Sequence, residues 1–436
     1  MRHLNFIAVD VSESSIKVLQ LNDDNSIKAY GNAPLEKGVV EKGRIIDVET
    51  FSTVLNEVLK NTKPNVLADE NSLHRAFLCL PEAKLFSHHC VVPETVKQNE
   101  IEAYLYAEAG KIIPFELGAL YSNHHVAEEK GVRNATFVGV EKSVLDNYVK
   151  AFVHANVRPA FVGGELFALG SALLPNPIAD EDCIVIDIGV RSATIGMFGT
   201  DTVPNDSILF PYGGEYFTNF LAERLNVNKE EAETLKRVNG VNPAYEDTGV
   251  PAILRECLSV ITDKINEAKI YFEAKSGSPV KHIIIAGGSA LLPYIESFIT
   301  EKTGIEATIA NPLFKIKEHD VLQKDATPNV LFANVVGLAL AASNPEFRHI
   351  NLLTQYDQDE EVVSTDSLAI SDIRSLADVA SVAHNFLRRV KAAYVLCLQY
   401  LKMTVSKIRV KFKLILTIVV FLAAAVFLIW VLKTYL

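Results

Sequence analysis

One short pattern occurs twice in this chain, and it constrains the fold more than any other feature. An apolar run that ends in an aspartate leads into a few small or polar residues and then into a second apolar run. The first copy spans residues 6–18 around Asp10, and the second spans 183–195 around Asp187. Two apolar runs joined by a short turn are typical of a β-hairpin. The repeat therefore predicts two similar half-domains that each contain such a hairpin.

The segments around the two hairpins indicate the fold class. From residue 6 to about 344, strand-like and helix-like segments alternate, as in α/β proteins. One stretch between the hairpins has an order of its own and predicts a strand-helix-strand-strand subdomain inserted at about 82–158, within a body at 1–345. Its predicted elements are a strand at 84–92, a helix at 94–111 with Thr95 as its N-cap, strands near 120–126 and 136–140, and a helix at 143–155.

The two aspartate turns also suggest a chemistry. Backbone N–H groups of a tight turn can point at phosphate oxygens, as in anion-binding nests. A carboxylate at a strand end can hold the waters of a Mg²⁺ ion that bridges phosphates. One such turn is weak support, since aspartate is common at turns. A duplicated pair facing across a cleft would clamp a nucleotide triphosphate tail.

Two glycine-containing segments in the second half could extend this site. An apolar run at 283–286 leads into Gly287, Gly288 and Ser289 and then into a predicted helix. Glycines let a flat group approach the backbone, and a helix N-terminus offers free N–H groups, so a base and ribose would fit. An ordinary strand-to-helix turn would look the same.

The second glycine-containing segment is Gly213-Gly214, which precedes a helix-like segment with Glu233 and Lys236. Glu233 and Lys236 are three residues apart, so they share one helix face and could both reach a sugar hydroxyl. A surface ion pair is the commoner arrangement of such a pair.

In combination, these motifs resemble the superfamily of actin, sugar kinases and heat-shock chaperones. Within it, the chain is most similar to PilM, the cytoplasmic actin-like family of type IV pilus assembly, and more distantly to FtsA of cell division. The likeness to PilM covers roughly residues 5–345 and rests on 38–47, 80–86, 108–115 and 333–340. The resemblance implies an α/β, actin-like two-lobed ATPase fold, with duplicated ribonuclease-H-like halves, that binds ATP and Mg²⁺.

The resemblance also implies roles for individual residues. Asp10 and Asp187 would hold the metal and act in catalysis with Glu165, for which a purely structural role is equally open. The remaining cofactor-binding residues would be Ser12, Ser14, Ser15 and Lys17 in the first turn, Gly189, Arg191, Ser192 and Thr194 in the second, and Gly213, Gly214, Glu233, Lys236, Gly287, Gly288 and Ser289 around the nucleoside. Ser12 stands where the family usually has glycine, and Arg191 is bulky for a turn. These departures leave open a slow ATPase or a site that only binds nucleotide.

The C-terminal region has a different character. Residues 414–432 are apolar except for Thr417, about the length that a helix needs to cross a bilayer. Lysines and arginines, and no acidic residue, occur at 388–413, which places the N-terminal side in the cytoplasm by the positive-inside rule. We therefore predict a C-terminal transmembrane helix at 411–436 that anchors a cytoplasmic body to the bacterial inner membrane. A buried core helix is the alternative.

Two segments connect the body to this predicted anchor. Residues 346–372 form an acidic linker that contains Ile350–Leu353, which resembles the Ile-Asn-Leu-Leu peptide of PilN that docks on the inserted subdomain of PilM. The peptide would fold back in cis or bind a neighbour in trans, unless the match is accidental. Residues 373–410 predict a helix with a coiled-coil-like apolar spacing at 376–401. It could mediate homo-oligomerisation or lie on the membrane surface.

Composition excludes other classes of function. The net charge of −11 gives no electrostatic support for nucleic-acid binding. The five cysteines are scattered and form no CxxC pair, which argues against a disulfide framework or a zinc site. We therefore expect a membrane-anchored actin-like ATP-binding platform for type IV pilus or related secretion or competence machinery, with a PilN-like partner. A non-catalytic adaptor scaffold and an FtsA-like membrane-tethered filament are the alternatives.

Overall fold

The computed structural model describes residues 4–67, 73–114, 116–129, 131–175, 182–199, 201–317 and 327–356. Residues 357–436, which carry most of the predicted linker, the juxtamembrane helix and the membrane anchor, lie outside these ranges. No helix among the described residues has both the length and the apolar composition needed to cross a membrane.

The described chain forms strands and helices in an alternating order that agrees with the predicted α/β class. In chain order they are β1 (Leu4–Val11), β2 (Ser15–Leu21), β3 (Ile27–Pro34), β4 (Val40–Glu41), β5 (Arg44–Ile45), α1 (Val48–Asn61), β6 (Leu73–Leu80), β7 (Leu85–Val92), α2 (Ile101–Ala109), β8 (Leu120–Glu129), β9 (Val132–Glu141), α3 (Lys142–His154), β10 (Arg158–Gly164), α4 (Glu165–Leu173), β11 (Asp182–Ile188), β12 (Ala193–Phe198), β13 (Asp206–Phe210), α5 (Gly214–Leu225), α6 (Lys229–Asn239), α7 (Val250–Ser276), β14 (Val280–Ala286), α8 (Ile295–Thr303), β15 (Glu306–Ile309) and α9 (Ala333–Ser343).

The first lobe is built on a five-stranded sheet with the order β3-β2-β1-β6-β10. β1 pairs antiparallel with β2 and parallel with β6, and β10 adds parallel to β6. Successive side chains of β1 face opposite sides of the sheet, as the geometry of a strand requires. Ile7 and Val9 pack into one apolar core, whereas Ala8 packs into another. On the Ile7 side, Phe51 of α1 and Phe152 of α3 pack with their ring centroids 5.8 Å apart.

The second lobe repeats this plan with the order β13-β12-β11-β14-β15. β11 pairs antiparallel with β12 and parallel with β14, and β15 adds parallel to β14. Asp10 of β1 lies opposite Lys17 of β2, and Asp187 of β11 lies opposite Thr194 of β12 in the equivalent hairpin. The structure confirms the two similar half-domains that the repeated hairpin predicts.

A separate antiparallel sheet, with the order β7-β9-β8, is inserted between β6 and β10. Ile101 and Leu105 of α2 share a small apolar core with Phe137 of β9. This confirms the predicted strand-helix-strand-strand order. The following helix, α3, packs in the core of the first lobe instead. The antiparallel sheet of the inserted subdomain ends at Glu141, the last residue of β9.

The helix of this subdomain begins later than predicted. The prediction places an N-cap at Thr95, whereas α2 begins at Ile101. The guanidinium group of Arg133, on β9, donates hydrogen bonds to the backbone carbonyls of Pro93 and Val96. Because a side chain from another strand engages these carbonyls, the chain makes a turn here. This tertiary contact overrides the local helical pattern.

The two lobes meet where α4 and α9 cross. A Cβ atom built on Gly337 of α9 would lie 1.9 Å from the carbonyl oxygen of Ala168 on α4. A Cβ atom on Gly170 of α4 would lie 2.0 Å from the carbonyl oxygen of Thr202, in the second lobe. Real Cβ atoms essentially never approach another atom within 3.0 Å. Only glycine fits at these two positions, and this sets how closely the lobes approach each other.

Candidate functional site

A cleft of about 1340 Å³ lies between the lobes. This is large enough for a nucleotide-sized ligand. All but one of the predicted site residues line it, namely Asp10, Ser12, Ser14, Ser15, Lys17, Glu165, Asp187, Gly189, Arg191, Ser192, Thr194, Gly214, Glu233, Lys236, Gly287, Gly288 and Ser289. The exception is Gly213, where a Cβ atom would lie 2.6 Å from the carbonyl oxygen of Val190. Gly213 therefore packs behind the second turn, and its predicted place among the ligand-binding residues is not supported.

The first turn is shaped by Ser12. Its N–H donates to the carbonyl of Ser15 at 2.9 Å, and its hydroxyl accepts from the N–H of Ser15 at 3.0 Å. No residue of this turn has a positive φ angle, so glycine is not required at this position. The serine at position 12 is therefore compatible with a regular, well-bonded turn.

Lys17 and Asp10 form a buried pair beside this turn. Lys17 Nζ lies 3.2 Å from Asp10 Oδ2 and 3.2 Å from the hydroxyl of Ser15. Asp10 is 5% exposed and Lys17 is 8% exposed. The pair therefore places one fixed positive charge beside the carboxylate at the end of β1.

The floor of the cleft holds more carboxyl groups than the charge of this one lysine can neutralise. Burial and the charge of Asp10 raise the pKa of Asp187 to about 6. Burial and the charges of Asp187 and Asp10 raise the pKa of Glu165 well above its usual range. Burial also raises the pKa of Glu82 to about 7, against the hydrogen bond that its carboxylate accepts from the N–H of Leu166. A cluster of oxygen ligands that repel one another suits a hard divalent cation such as Mg²⁺.

Glu82 is a member of this cluster that the sequence pattern does not reveal. The Glu82 backbone N–H donates to Glu165 Oε2 at 3.2 Å, while Glu82 Oε1 accepts from the N–H of Leu166 at 3.1 Å. A Cβ atom on Gly164 would lie 2.8 Å from Glu82 Oε1. This reciprocal arrangement holds both carboxyl groups at the start of α4.

The second turn is held by backbone contacts. The N–H of Gly189 donates to the carbonyl of Ser192 at 3.0 Å, and the N–H of Gly214 donates to the carbonyl of Gly189 at 2.9 Å. A Cβ atom on Gly214 would lie 2.9 Å from the Ser289 hydroxyl. Gly214 at the start of α5 therefore meets Ser289, which follows β14, beside this turn.

Gly287 brings the end of β14 against Asp187. Its φ is +81°, and a Cβ atom there would lie 2.2 Å from Asp187 Oδ1. The sequence predicts a helix starting at these glycines, but a short 3₁₀ turn forms at Gly288–Leu291 and α8 begins at Ile295. Pro293 intervenes and cannot donate a backbone hydrogen bond. The helical turn that follows these glycines is therefore 3₁₀, and the α-helix begins only after Pro293.

Arg191 and Glu13 connect the two turns. Arg191 Nε lies 2.7 Å from Glu13 Oε2, and Glu13 Oε1 accepts from the N–H of Lys42 at 2.6 Å. The Arg191 side chain is 42% exposed, so water screens this ion pair and its contribution to stability is small. The bulky turn residue thus bridges the lobes across the cleft.

Glu233 and Lys236 form the ion pair that is the commoner alternative for their spacing, and both also line the cleft. Lys236 Nζ lies 2.6 Å from Glu233 Oε2 and donates to the hydroxyl of Thr218 at 2.8 Å. Burial opposes ionisation of Glu233, but hydrogen bonds from Lys236, Thr218 and Arg237 lower its pKa to about 2. Glu233 is therefore an ionised hydrogen-bond acceptor at neutral pH.

Two asparagines in the cleft lining also escape detection from sequence. The side-chain oxygens of Asn219 on α5 and Asn334 on α9 are buried and have no hydrogen-bond partner among the described residues. A buried polar atom without a partner costs about 1–3 kcal/mol. Both oxygens could accept hydrogen bonds from a polar ligand, so the cleft fits a nucleotide better than an apolar molecule.

A second site lies at the edge of the first-lobe sheet, where the segment after α9 packs against β10. Ile350, Leu352 and Leu353 are buried in the first-lobe core. The N–H of Leu352 donates to the carbonyl of Val162 at 2.8 Å, and the N–H of Val162 donates to Asn351 Oδ1 at 3.1 Å. The peptide thereby bonds to β10 at its open edge.

The same segment also bonds to β8 of the inserted subdomain. Asn123 Nδ2 donates to the carbonyl of Asn351 at 2.9 Å, and the N–H of Ser122 donates to Gln355 Oε1 at 2.9 Å. The ring centroids of Tyr121 and Tyr356 are 5.5 Å apart. The peptide thus occupies a groove between β10 and β8, which is the cis alternative of the two predicted from sequence.

Two lobes with one sheet topology, a carboxylate-lined cleft between them and a small subdomain inserted in the first lobe define an actin-like fold. The chain belongs to the family of the type IV pilus assembly protein PilM, whose sequence profile matches residues 8–343. The predicted resemblance to PilM and the predicted actin-like fold are both confirmed.

Two relatives give the scale of the similarity. The solved PilM-PilN type IV pilus biogenesis complex is similar with a TM-score of 0.65 at 19% sequence identity, over 78% of this chain and 99% of that chain. The cell division protein FtsA of Bacillus subtilis (strain 168) is 21% identical over 352 residues, which are 70% of this chain and 78% of FtsA. The predicted distant relation to FtsA is therefore confirmed.

The acidic cluster predicts how stability depends on pH. The pKa of Asp187 rises on folding from 3.8 to about 6, so the native state binds more protons than the unfolded chain in this interval. The contribution of Asp187 to stability is therefore fully present below about pH 4 and is lost as the pH rises through about 6. We expect Asp187→Asn to gain stability relative to the original chain as the pH is raised over this range, measured by urea unfolding without divalent ions.

The exposed Asp263 on α7 provides a matched control for this measurement. Asp263→Asn controls for the replacement of an exposed aspartate by asparagine. A stability difference between Asp187→Asn and the original chain that is independent of pH would contradict the raised pKa.

Proposed function

We propose that this chain is a membrane-anchored, actin-like platform that binds Mg²⁺ and ATP for a type IV pilus or a related secretion or competence machine. The observation that carries the proposal is the duplicated hairpin. Both of its aspartates lie at the floor of one cleft, together with Glu165, in a chain of the PilM family. The carboxyl cluster there has more acidic groups than its one paired lysine can neutralise.

Different residues of the cleft would bind different parts of the nucleotide. N–H groups of the two turns and Lys17 would bind the phosphates, and Asp10 and Asp187 would hold Mg²⁺ through its waters. Mg²⁺, when bound, neutralises phosphate charge. Glu233 and Lys236 would bind the ribose, and the backbone at 287–289 would face the adenine. Glu165 would orient a water molecule, and we expect ATP hydrolysis to be slow at most.

Binding is tested with Asp187→Asn and a non-hydrolysable ATP analogue. At a concentration about 100 times its Kd, the analogue with Mg²⁺ should stabilise the original chain by about 2.7 kcal/mol in thermal unfolding. Asp187→Asn removes a metal-holding carboxylate and should lose most of this gain, whereas Asp263→Asn should keep it. Absence of stabilisation in the original chain would contradict ATP binding and favour the non-catalytic adaptor.

The proposed anchor is the apolar run at 414–432 with its basic flank. Alkaline extraction of bacterial membranes tests it directly. The full chain should stay with the membrane pellet, because a spanning helix is held by the bilayer core. A chain that ends at residue 410 should be released to the supernatant. Release of the full chain would contradict the anchor.

A PilN-like membrane protein is the proposed partner. The groove between β10 and β8 already holds the chain's own Ile350–Leu353 segment, whose three apolar side chains are buried there. This groove would be the docking site of the partner, and a partner peptide would have to displace the segment. This self-occupied state would let the platform limit access to its own docking groove.

A displaced segment should expose the groove. Leu352 is fully buried, so Leu352→Asp puts a charge into an apolar core and should eject the segment. We expect a labelled synthetic peptide of residues 346–356 to bind the Leu352→Asp chain, and to bind the original chain much more weakly, in fluorescence anisotropy. The exposed Leu291→Asp is the matched control and should behave like the original chain. Equal peptide affinity for the original chain and Leu352→Asp would contradict the self-occupied groove.

A further inference from the structure

Three potential metal ligands converge beside the docked peptide. His125 is on β8 of the inserted subdomain, Asp201 is in the loop between β12 and β13 of the second lobe, and His349 directly precedes the docked peptide. Their ligand atoms all lie within 4.8 Å of one another. None of the three is near another in sequence, so no spacing pattern could have shown this cluster.

The geometry of the three side chains suits one ion. His125 Nε2 lies 3.3 Å from Asp201 Oδ2, and His349 Nε2 lies 3.9 Å from Asp201 Oδ1. The two imidazole ring centroids are 4.9 Å apart. Zinc binds nitrogen and carboxylate oxygen at about 2.0–2.2 Å, which places two tetrahedral ligands roughly 3.3 Å apart. A small movement of His349 would complete such a site.

The surroundings provide space and access. A cavity of about 20 Å³ adjoins the cluster and is lined by His125, Asp201 and His89. The Nε2 atom of His89 is buried and has no hydrogen-bond partner within the part of the chain that the structure describes. This volume holds about one water molecule, so a solvent ligand fits beside the three side chains. The side chains of His125, Asp201 and His349 are 24%, 31% and 14% exposed, which leaves an entry path for an ion.

We propose that His125, Asp201 and His349 form a binding site for a divalent transition-metal ion of the zinc type. Two imidazoles and one carboxylate, with a position left for water, are a ligand set that such ions prefer. His349 Nε2 lies 3.1 Å from the hydroxyl of Thr202, and it would exchange this hydrogen bond for the ion.

The ion would fasten three parts of the molecule together. It would join the inserted subdomain, the second lobe and the residue before Ile350, whose side chain anchors the docked segment. Because the ion binds only when these parts are assembled, its binding energy would stabilise the assembled state. The site would therefore regulate release of the peptide. This consequence rests on the proposed docking groove, whereas the existence of the metal site does not depend on that groove.

The test uses the full chain in detergent, stripped of metal with a chelator, and titrated with Zn²⁺ in a calorimeter. With excess Mg²⁺ present to occupy the carboxylate cleft, we expect one Zn²⁺ ion per chain in the original protein. His125→Ala and Asp201→Asn should weaken binding by more than the roughly 10- to 100-fold that follows loss of an outer-shell partner. His124→Ala removes a neighbouring histidine on the opposite face of β8 and should leave binding unchanged.

Two further measurements distinguish this metal site from the carboxylate cleft and from its effect on the docked peptide. Asp187→Asn should retain the Zn²⁺ affinity, because the carboxylates of the cleft are a different site. Hydrogen exchange of the Leu352 amide should slow on adding Zn²⁺ to the original chain and stay unchanged in His349→Ala, with folding of each variant checked by circular dichroism. Equal Zn²⁺ affinity in His125→Ala and His124→Ala would overturn the site. Metal binding without slower exchange would leave the site standing and overturn its control of the peptide.

Discussion

The close crossing of α4 and α9 sets the geometry on which the cleft depends. Gly337 and Gly170 bring helix backbone against the carbonyls of Ala168 and Thr202 at distances that no Cβ atom would permit. Helices normally pack with their axes 8–10 Å apart, and small residues allow the closest approaches. Since α4 begins at Glu165, this contact also fixes where that carboxyl group meets the strand ends of both lobes.

The carboxyl cluster that results is unfavourable in the protein alone. Burial and mutual repulsion raise the pKa values of Asp187, Glu165 and Glu82, so each charge added to this floor costs free energy. Lys17, which pairs with Asp10, offsets part of this free-energy cost. The same repulsion between carboxyl groups favours a positively charged ligand that prefers oxygen donors. Apolar residues at this place would pack without this electrostatic penalty, so stability alone does not account for the carboxyl groups.

Much of this arrangement could be predicted because it is encoded locally. Strand, aspartate and turn follow one another within a dozen residues in each hairpin, so Asp10 and Asp187 identify the site before any fold is known. The members that were missed lack such a signal. Glu82 lies after a different strand and reaches the cluster only because β6 pairs with β1. Arg133 likewise delays α2 through a contact from another strand, which no local pattern contains.

The two sites are joined by one continuous stretch of chain. β10 receives the docked peptide at Val162 and ends at Gly164, and α4 starts with Glu165 in the cleft. A Cβ atom on Gly163 would lie 3.6 Å from the carbonyl oxygen of Ile350. A ligand at Glu165 and the peptide at Val162 would therefore act on the same short stretch of backbone. If both equilibria shift the position of β10, linkage requires each ligand to change the affinity for the other by the same factor.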